Sequence, residues 1–396
     1  MRLAINGGKP IRDTQIHYGR QYIDNDDINA VVEVLRGPLI TMGPKVEELE
    51  NKLCQLTGAG YGIALANGTA SLHAACYAAG IRAGDEVITT PMTFAASSNS
   101  ILYVGGRPVF VDINPDTYNI DPEKVLRAVT SKTKAIIAVD YTGQSVELDR
   151  LREICSTHNL ILIEDASHSI GTKYKGRPVG SIADMTTFSF HPVKTITGGE
   201  GGAVMVNDEE FARKLSMFRV HGITRSKELF ENEPHGIWYY EQLDSGYNYR
   251  LTDIQAALLI SQLDKLTMFS ERRKEIVKSY NEAFSTIEEV KIQSSISESD
   301  TTPHLYVIQL NLEKLKTGRK EIFEALWEEN ICCNVHYIPV YYHPYYERLG
   351  YHKGICPLAE RLYERIISIP LYYSMTDGDV EDVINAVKKV VEWYRK

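Results

Sequence analysis

At 396 residues the chain outgrows a single hydrophobic core, and its 43% apolar and 24% charged residues are ordinary for a globular protein. With 43 basic and 52 acidic residues the formal charge is −9, and no Lys/Arg cluster interrupts it, which argues against a nucleic-acid surface. No apolar run has the length of a membrane span, the amino terminus lacks a signal-peptide core, and six cysteines without CxxC spacing exclude a disulfide scaffold, so a cytoplasmic protein is expected.

Residues 1–20 read as an irregular arm. Charged and apolar residues recur at helical spacing from Asp26 to Leu35, with Gly37-Pro38 as the stop, and Pro44–Leu56 is a second amphipathic helix. Strand and helix then alternate: a strand at Gly62–Ala66, a helix over Thr69–Ala79, and strands at Glu86–Thr90, Pro108–Asp112, Ala135–Asp140, Ile161–Asp165, Met185–Phe190 and Val204–Val206. Helices at Pro122–Val129 and Leu148–His158 fall between them. Such alternation predicts a mostly parallel sheet covered on both faces. After Asp253 the pattern changes to long helices, Ile254–Thr267 and Glu271–Phe284. A strand at His304–Leu312, a helix at Arg319–Asn330, a strand at Cys332–Tyr337 and a closing helix at Asp377–Tyr394 follow. Ser294–Thr302 reads as a surface loop. The expected division is an arm over 1–20, a large domain over 21–265 and a smaller C-terminal domain over 266–396.

The chemistry concentrates in two strand ends. Leu160-Ile-Leu-Ile-Glu-Asp165 is an apolar run that delivers a carboxylate to the sheet edge, and Lys194 follows the strand-like Met185–Phe190. Pyridoxal phosphate (PLP) chemistry needs such a pair: a lysine that carries the cofactor and an acid that keeps its pyridine nitrogen protonated. Asp165 could instead cap the turn after its strand, and Lys194 could be a surface lysine. The glycine-dense Gly198-Gly-Glu-Gly-Gly202 beside Lys194 favours close approach to a ligand. Gly68, Thr69 and Ala70 open a helix after a strand, where backbone amides favour an anion, although small polar residues there are also ordinary caps. Ser189 adds a hydroxyl five residues before Lys194. His168, three residues after Asp165, could bond the cofactor ring or be structural, and Phe94 could stack on the ring or belong to the core.

The tyrosine-rich run His336–Tyr346 suits a sugar-nucleotide pocket or a subunit interface. His336, His343 and His352 lack acidic or thiol partners at ligand spacing, so no metal is expected.

Asp-Ala-x-His from 165, Ser189-Phe-His-Pro-Val-Lys194, the Gly-Glu-Gly-Gly turn and Gly246-Tyr-Asn-Tyr-Arg-Leu-Thr-Asp-Ile-Gln-Ala256 together resemble the DegT/DnrJ/EryC1/StrS sugar aminotransferases over nearly the whole chain. The resemblance implies fold type I of the PLP-dependent transferases, the aspartate aminotransferase-like α/β fold. Its large domain carries a mostly parallel seven-stranded sheet, and a smaller α+β domain follows. It also implies a homodimer with shared active sites. Carried over, Lys194 matches the Schiff-base lysine and Asp165 the pyridine-nitrogen partner, with Thr69, Ala70 and Ser189 as phosphate ligands. Asn248 matches an asparagine that reaches the phosphate from the neighbouring subunit, and Arg250 serves the donor carboxylate or pairs within the interface.

Val139-Asp-Tyr-Thr-Gly-Gln144, His221-Gly-Ile-Thr-Arg225 and Val335-His-Tyr-Ile-Pro-Val340 resemble the members acting on UDP-linked 4-keto-6-deoxy-L-sugars. On that likeness Tyr18, the turn Pro38-Leu39-Ile40-Thr41 and Asn334-Val335-His336-Tyr337 would line the sugar-nucleotide site, with L-glutamate as donor. Another UDP- or dTDP-linked keto sugar is the alternative. A PLP-dependent sugar dehydratase or a ligand-binding regulator is disfavoured by the intact Lys194. One departure from the family pattern is Gly198, where threonine is common.

Overall fold

The apolar runs of the first half of the chain assemble into one seven-stranded sheet. The structure, a computed structural model, describes residues 2–396. Across the sheet the strands are Tyr61–Leu65, Gly202–Val206, Met185–Ser189, Ile161–Asp165, Thr133–Val139, Glu86–Thr89 and Arg107–Phe110. Neighbours are parallel except around Gly202–Val206, which runs antiparallel to both flanking strands. Central strands are buried on both faces, which is why they read as continuous apolar runs without alternation.

Each face has its own core. Ile63, Leu65, Val204 and Val206 point to one side and pack against helices Gly68–Ala78 and Glu209–Phe218. Their neighbours Ala64, Ala203 and Met205 point to the other, against Pro44–Thr57 and Asp253–Asp264. The fold is therefore the α/β architecture expected, with its mostly parallel central sheet.

Beyond it, Leu266–Phe284, Arg319–Glu328 and Asp377–Trp393 pack on a three-stranded antiparallel sheet of Val290–Ile292, Tyr306–Leu310 and Ile366–Ile369. The arm contributes to this same core: Leu3 and Ile16 are buried in it, and Ile16–His17 pairs in parallel with Ile331–Cys332. The buried Glu329 accepts the amides of Ala4 and Ile11 and meets Lys389 at 2.9 Å, so the arm is latched rather than loose.

Several expectations need correction. The strand read at Cys332–Tyr337 is confined to Ile331–Cys332, and the chain then bends into a cavity wall. Helices Ala96–Tyr103 and Glu209–Phe218, and the short strands Val290–Ile292 and Ile366–Ile369, were not legible. Within the Ser294–Thr302 loop, Ser299–Asp300 forms a short antiparallel pair with Lys173–Tyr174. Among the described residues no helix is long and apolar enough to cross a membrane, all six cysteines are free, and no cluster of three His, Cys, Asp or Glu could hold a metal.

Candidate active site

The carboxyl ends of the parallel strands open into a cavity of about 810 Å³, the place where open α/β sheets bind ligands. Asp165 ends its strand there, 4% exposed. Ser97 Oγ donates to Asp165 Oδ2 at 2.6 Å, and Ser167 donates to Oδ1 through its hydroxyl at 2.6 Å and its amide at 3.2 Å. Thr93 Oγ1 lies 2.7 Å from Ser97 Oγ and extends the network. Three donors fix the carboxylate's direction without neutralising it. Thr93 and Ser97 were missed because the serine-rich segment after Pro91 reads as a loop. Their i, i+4 spacing was the available signal.

Lys194 enters from the turn after Met185–Ser189. Burial pushes its pKa down to about 8, against the opposing pull of the Asp165 carboxylate. An amine so placed is neutral in a substantial fraction near neutral pH and can act as nucleophile or base. Gly198 turns out to be required locally. A Cβ there would lie 2.8 Å from the Glu200 carbonyl oxygen and 3.0 Å from Leu259, so the threonine common in the family would not fit this turn unshifted.

At the opposite end, Asn67 caps helix Gly68–Ala78, its Oδ1 accepting the Ala70 amide at 2.8 Å. In this structure the chain's own cap takes the Ala70 amide, the donor expected to serve the phosphate. Ala70 still lines the cavity, and the amides of Gly68 and Thr69 remain at the positive helix end. Gly68 presses on Ser189, where a Cβ would come within 2.7 Å of Ser189 Cβ and 2.9 Å of Oγ. Only glycine lets the helix start meet that hydroxyl. Two amides and the Thr69 and Ser189 hydroxyls thus converge on a seat for an anion.

Phe94, 64% exposed, stands in the cavity with its ring 6.4 Å from that of Tyr337. His168 Nε2 lies 3.1 Å from Tyr337 Oη, and its ring packs 4.4 Å from that of His304. Burial holds both imidazoles well below their usual pKa, and the Lys194 charge adds to this, so both are neutral. Tyr18, Asn334, Val335 and His336 complete the wall. His336 Nδ1 meets Ser368 Oγ at 2.9 Å, and its ring packs 5.0 Å from Tyr18. His304, Tyr249 and Glu200 also line the cavity and were not read from sequence. Tyr341 and Tyr346, from the tyrosine-rich run, serve the core instead.

The remaining site residues lie elsewhere. Pro38, Leu39, Ile40, Thr41 and Asn248 are exposed, Arg250 is partly buried, and none of them lines this chain's cavity. Thr41 bridges Thr252 and Asn248 bridges Val220, so both segments are ordered on the surface.

Four buried side-chain polar atoms among the described residues lack a partner: Glu164 Oε1, His168 Nδ1, Arg273 Nε and His304 Nδ1. Two of them, on His168 and His304, line the cavity; Glu164 lies on the far side of its strand from Asp165, and Arg273 donates to the His304 carbonyl at 3.3 Å. Unsatisfied groups cost free energy and are rare in folded proteins, so the two open imidazole nitrogens of the cavity lining mark a place suited to a polar ligand. An anion seat, an unpaired amine, an oriented carboxylate and an aromatic face together fit pyridoxal phosphate.

Comparison with known proteins agrees with this geometry. The chain is 40% identical over 383 residues to the spore coat polysaccharide biosynthesis protein SpsC of Bacillus subtilis, covering 96% of this chain and 98% of that one. It is 38% identical over 389 residues to the UDP-4-amino-4,6-dideoxy-N-acetyl-β-L-altrosamine transaminase of Campylobacter jejuni, covering 96% and 99%. Two solved structures superpose closely. Helicobacter pylori PseC, an aminotransferase involved in the biosynthesis of pseudoaminic acid, has a TM-score of 0.90 at 31% identity, with 96% of this chain and all of that chain covered. A sugar aminotransferase of Streptococcus pneumoniae, solved in PMP and PLP forms, has a TM-score of 0.89 in the PMP form at 32% identity, with 96% and 99% covered. The family profile spans residues 21–388, and on all these grounds the chain belongs to the DegT/DnrJ/EryC1/StrS aminotransferase family.

Proposed function

We propose that this PLP-dependent sugar aminotransferase aminates C-4 of a UDP-linked 4-keto-6-deoxy sugar, UDP-2-acetamido-2,6-dideoxy-β-L-arabino-hex-4-ulose, using L-glutamate, in pseudaminic acid biosynthesis. The observation that carries the reaction class is the unpaired Lys194 amine facing the oriented Asp165 carboxylate in one cavity. The sugar is supported by the likeness to the Campylobacter jejuni transaminase.

When bound, PLP supplies an electron sink for the donor's α-carbon. The chain supplies the rest. Asp165, fixed by Ser97 and Ser167, would hold a proton on the ring nitrogen. The Gly68 and Thr69 amides with Ser189 would hold the phosphate, and Phe94 would offer an aromatic face to the ring. Lys194 Nζ would take the donor's α-proton and return it to the carbon on the far side of the amino nitrogen, and in the second half-reaction would move a proton the opposite way. His168, His336, Tyr337 and Tyr18 present neutral donors and acceptors that suit sugar hydroxyls and the N-acetyl group.

Among the described residues Lys194 is the only lysine or arginine lining the cavity, yet the donor's carboxylates and a nucleotide diphosphate are anionic. The reading therefore includes a homodimer in which Asn248, Arg250 and Pro38–Thr41 of one copy complete the other's site. The free cysteines accord with a reducing, cytoplasmic setting. The likeness to the Bacillus subtilis protein at similar identity favours, as a second reading, a different nucleotide-linked keto sugar.

A single-turnover test separates the two. Protein charged with glutamate is mixed with the UDP-L-arabino-hexulose, and return of the PLP band with an aminated product establishes the sugar. Failure to return, with the glutamate half intact, keeps the aminotransferase and discards this sugar.

A further inference from the structure

Behind Asp165 lies a second pair of acids that the reaction above does not use. Ile161–Asp165 pairs with Thr133–Val139 in the register Ala138 to Glu164 and Val139 to Asp165. Val139 and Asp165 face the cavity, so by strand alternation Glu164 and the following Asp140 share the opposite face. Both are fully buried. Asp140 accepts the Val146 amide at 2.9 Å and the Ser169 hydroxyl at 2.6 Å. Glu164 Oε2 accepts the Thr186 hydroxyl at 2.9 Å, while Oε1 finds no donor. The register makes them neighbours across the two strands on that buried face, and no basic side chain contributes at either.

Two ionised carboxylates cannot occupy such a place together. Burial, then the neighbouring acid, raises Glu164 well above the usual carboxylate range, whereas Asp140, bonded by two other donors, is pushed up only to about 7. Asp140 has two donors of its own and Glu164 only one, so the shared proton is placed on Glu164, and a carboxyl O–H there accounts for the oxygen left without a donor. Asp140, whose amide donates to the Asp165 carbonyl at 3.1 Å, then holds a buried negative charge one strand away from Asp165.

We propose that Glu164 and Asp140 share one proton and form a second acidic layer whose charge, resident on Asp140, strengthens the hold of Asp165 on the proton of the cofactor's ring nitrogen. Asp140 and Glu164 are positioning residues: they act through Asp165 and touch no reacting atom. The inference rests on the reading that Asp165 faces that nitrogen. The other titratable groups lining the cavity include Lys194, the neutral imidazoles of His168, His304 and His336, and Glu200, whose carboxylate is solvent-exposed, where water screens its charge, whereas Asp140 is fully buried.

Two measurements test it. The infrared spectrum of apoprotein carrying 13C-labelled glutamate should show a protonated side-chain carboxyl at neutral pH that Glu164→Gln removes. Its absence from the wild-type spectrum overturns the shared proton, and no variant needs to fold for that result. The 15N shift of labelled pyridoxal phosphate bound to the protein then reports ring protonation without turnover. Asp140→Asn should weaken the proton affinity of the ring nitrogen about tenfold, one pH unit in its midpoint. Glu164→Gln, which exchanges one neutral donor for another, should weaken it less than threefold. Equal effects of the two variants, or no effect of Asp140→Asn, overturn the second layer. If Asp165→Asn leaves the 15N shift at the wild-type value, the reading of Asp165 fails, while the infrared result stands by itself.

Discussion

The two ends of the cavity are built in different ways. The cofactor end takes nearly all its groups from the carboxyl ends of three strands of one sheet: Gly68 and Thr69 after one, Asp165 and His168 at another, Ser189 and Lys194 at a third. The substrate end is gathered from Tyr18 on the latched arm, His304 on a connector and Asn334–Tyr337, hundreds of residues apart. The first needs only a parallel sheet to become a site. The second needs the arm and the C-terminal core to be docked on that sheet, so it has more ways to vary, which suits a family whose members share a cofactor and differ in sugar.

Substitutions should expose that contrast. Lys194→Ala should lower glutamate transamination by about 10⁴-fold while pyridoxal phosphate still binds reversibly, as measured by the visible band in single-turnover mixing. Retained turnover would remove the assignment of Lys194. Gly68→Ala should weaken cofactor affinity by about tenfold, because the new Cβ cannot coexist with Ser189 at 2.7 Å. Titration of apoprotein with pyridoxal phosphate tests this, and the sugar's KM at saturating cofactor should change little. Cofactor capture by apoprotein should also depend on pH. Only the neutral Lys194 amine bonds the aldehyde, so the capture rate should fall about tenfold per unit below pH 8 and level off above it. A flat profile from pH 6 to 9 would contradict the lowered amine.

At the other end, Tyr337→Phe removes the hydroxyl that meets His168 and should raise the sugar's KM about fivefold, leaving cofactor affinity within a factor of two. If cofactor affinity falls instead, the division into two ends is misdrawn. An effect of similar size, but on the cofactor end, is expected for Ser97→Ala. Loss of one 2.6 Å donor to Asp165 should cost about 1 kcal/mol, a slowing of about fivefold in the glutamate half-reaction.

How much of this was legible follows the same line. Strand boundaries from Tyr61 to Val206 came within a residue or two, because buried parallel strands announce themselves as apolar runs between glycines and polar caps. Helix Ala96–Tyr103 escaped because its sequence, Ala-Ser-Ser-Asn-Ser-Ile-Leu-Tyr, has weak helix formers and is stabilised by packing against Gly68–Ala78. Ser97 was lost with it. Local sequence cannot tell whether a helix's first amides face a ligand or its own cap, and here Asn67 accepts the Ala70 amide.

By itself, then, the sequence determined the sheet, its carboxyl edge and the chemistry placed there. Strand periodicity and turn residues act over a few positions and need no distant partner to be recognised. Only the tertiary structure decided that the arm belongs to the C-terminal core, that His304 stands beside His168, and that Glu164 and Asp140 meet behind Asp165. Each of those depends on burial and on which strand lies next to which, and pairing across a sheet is set by the packing of the whole chain.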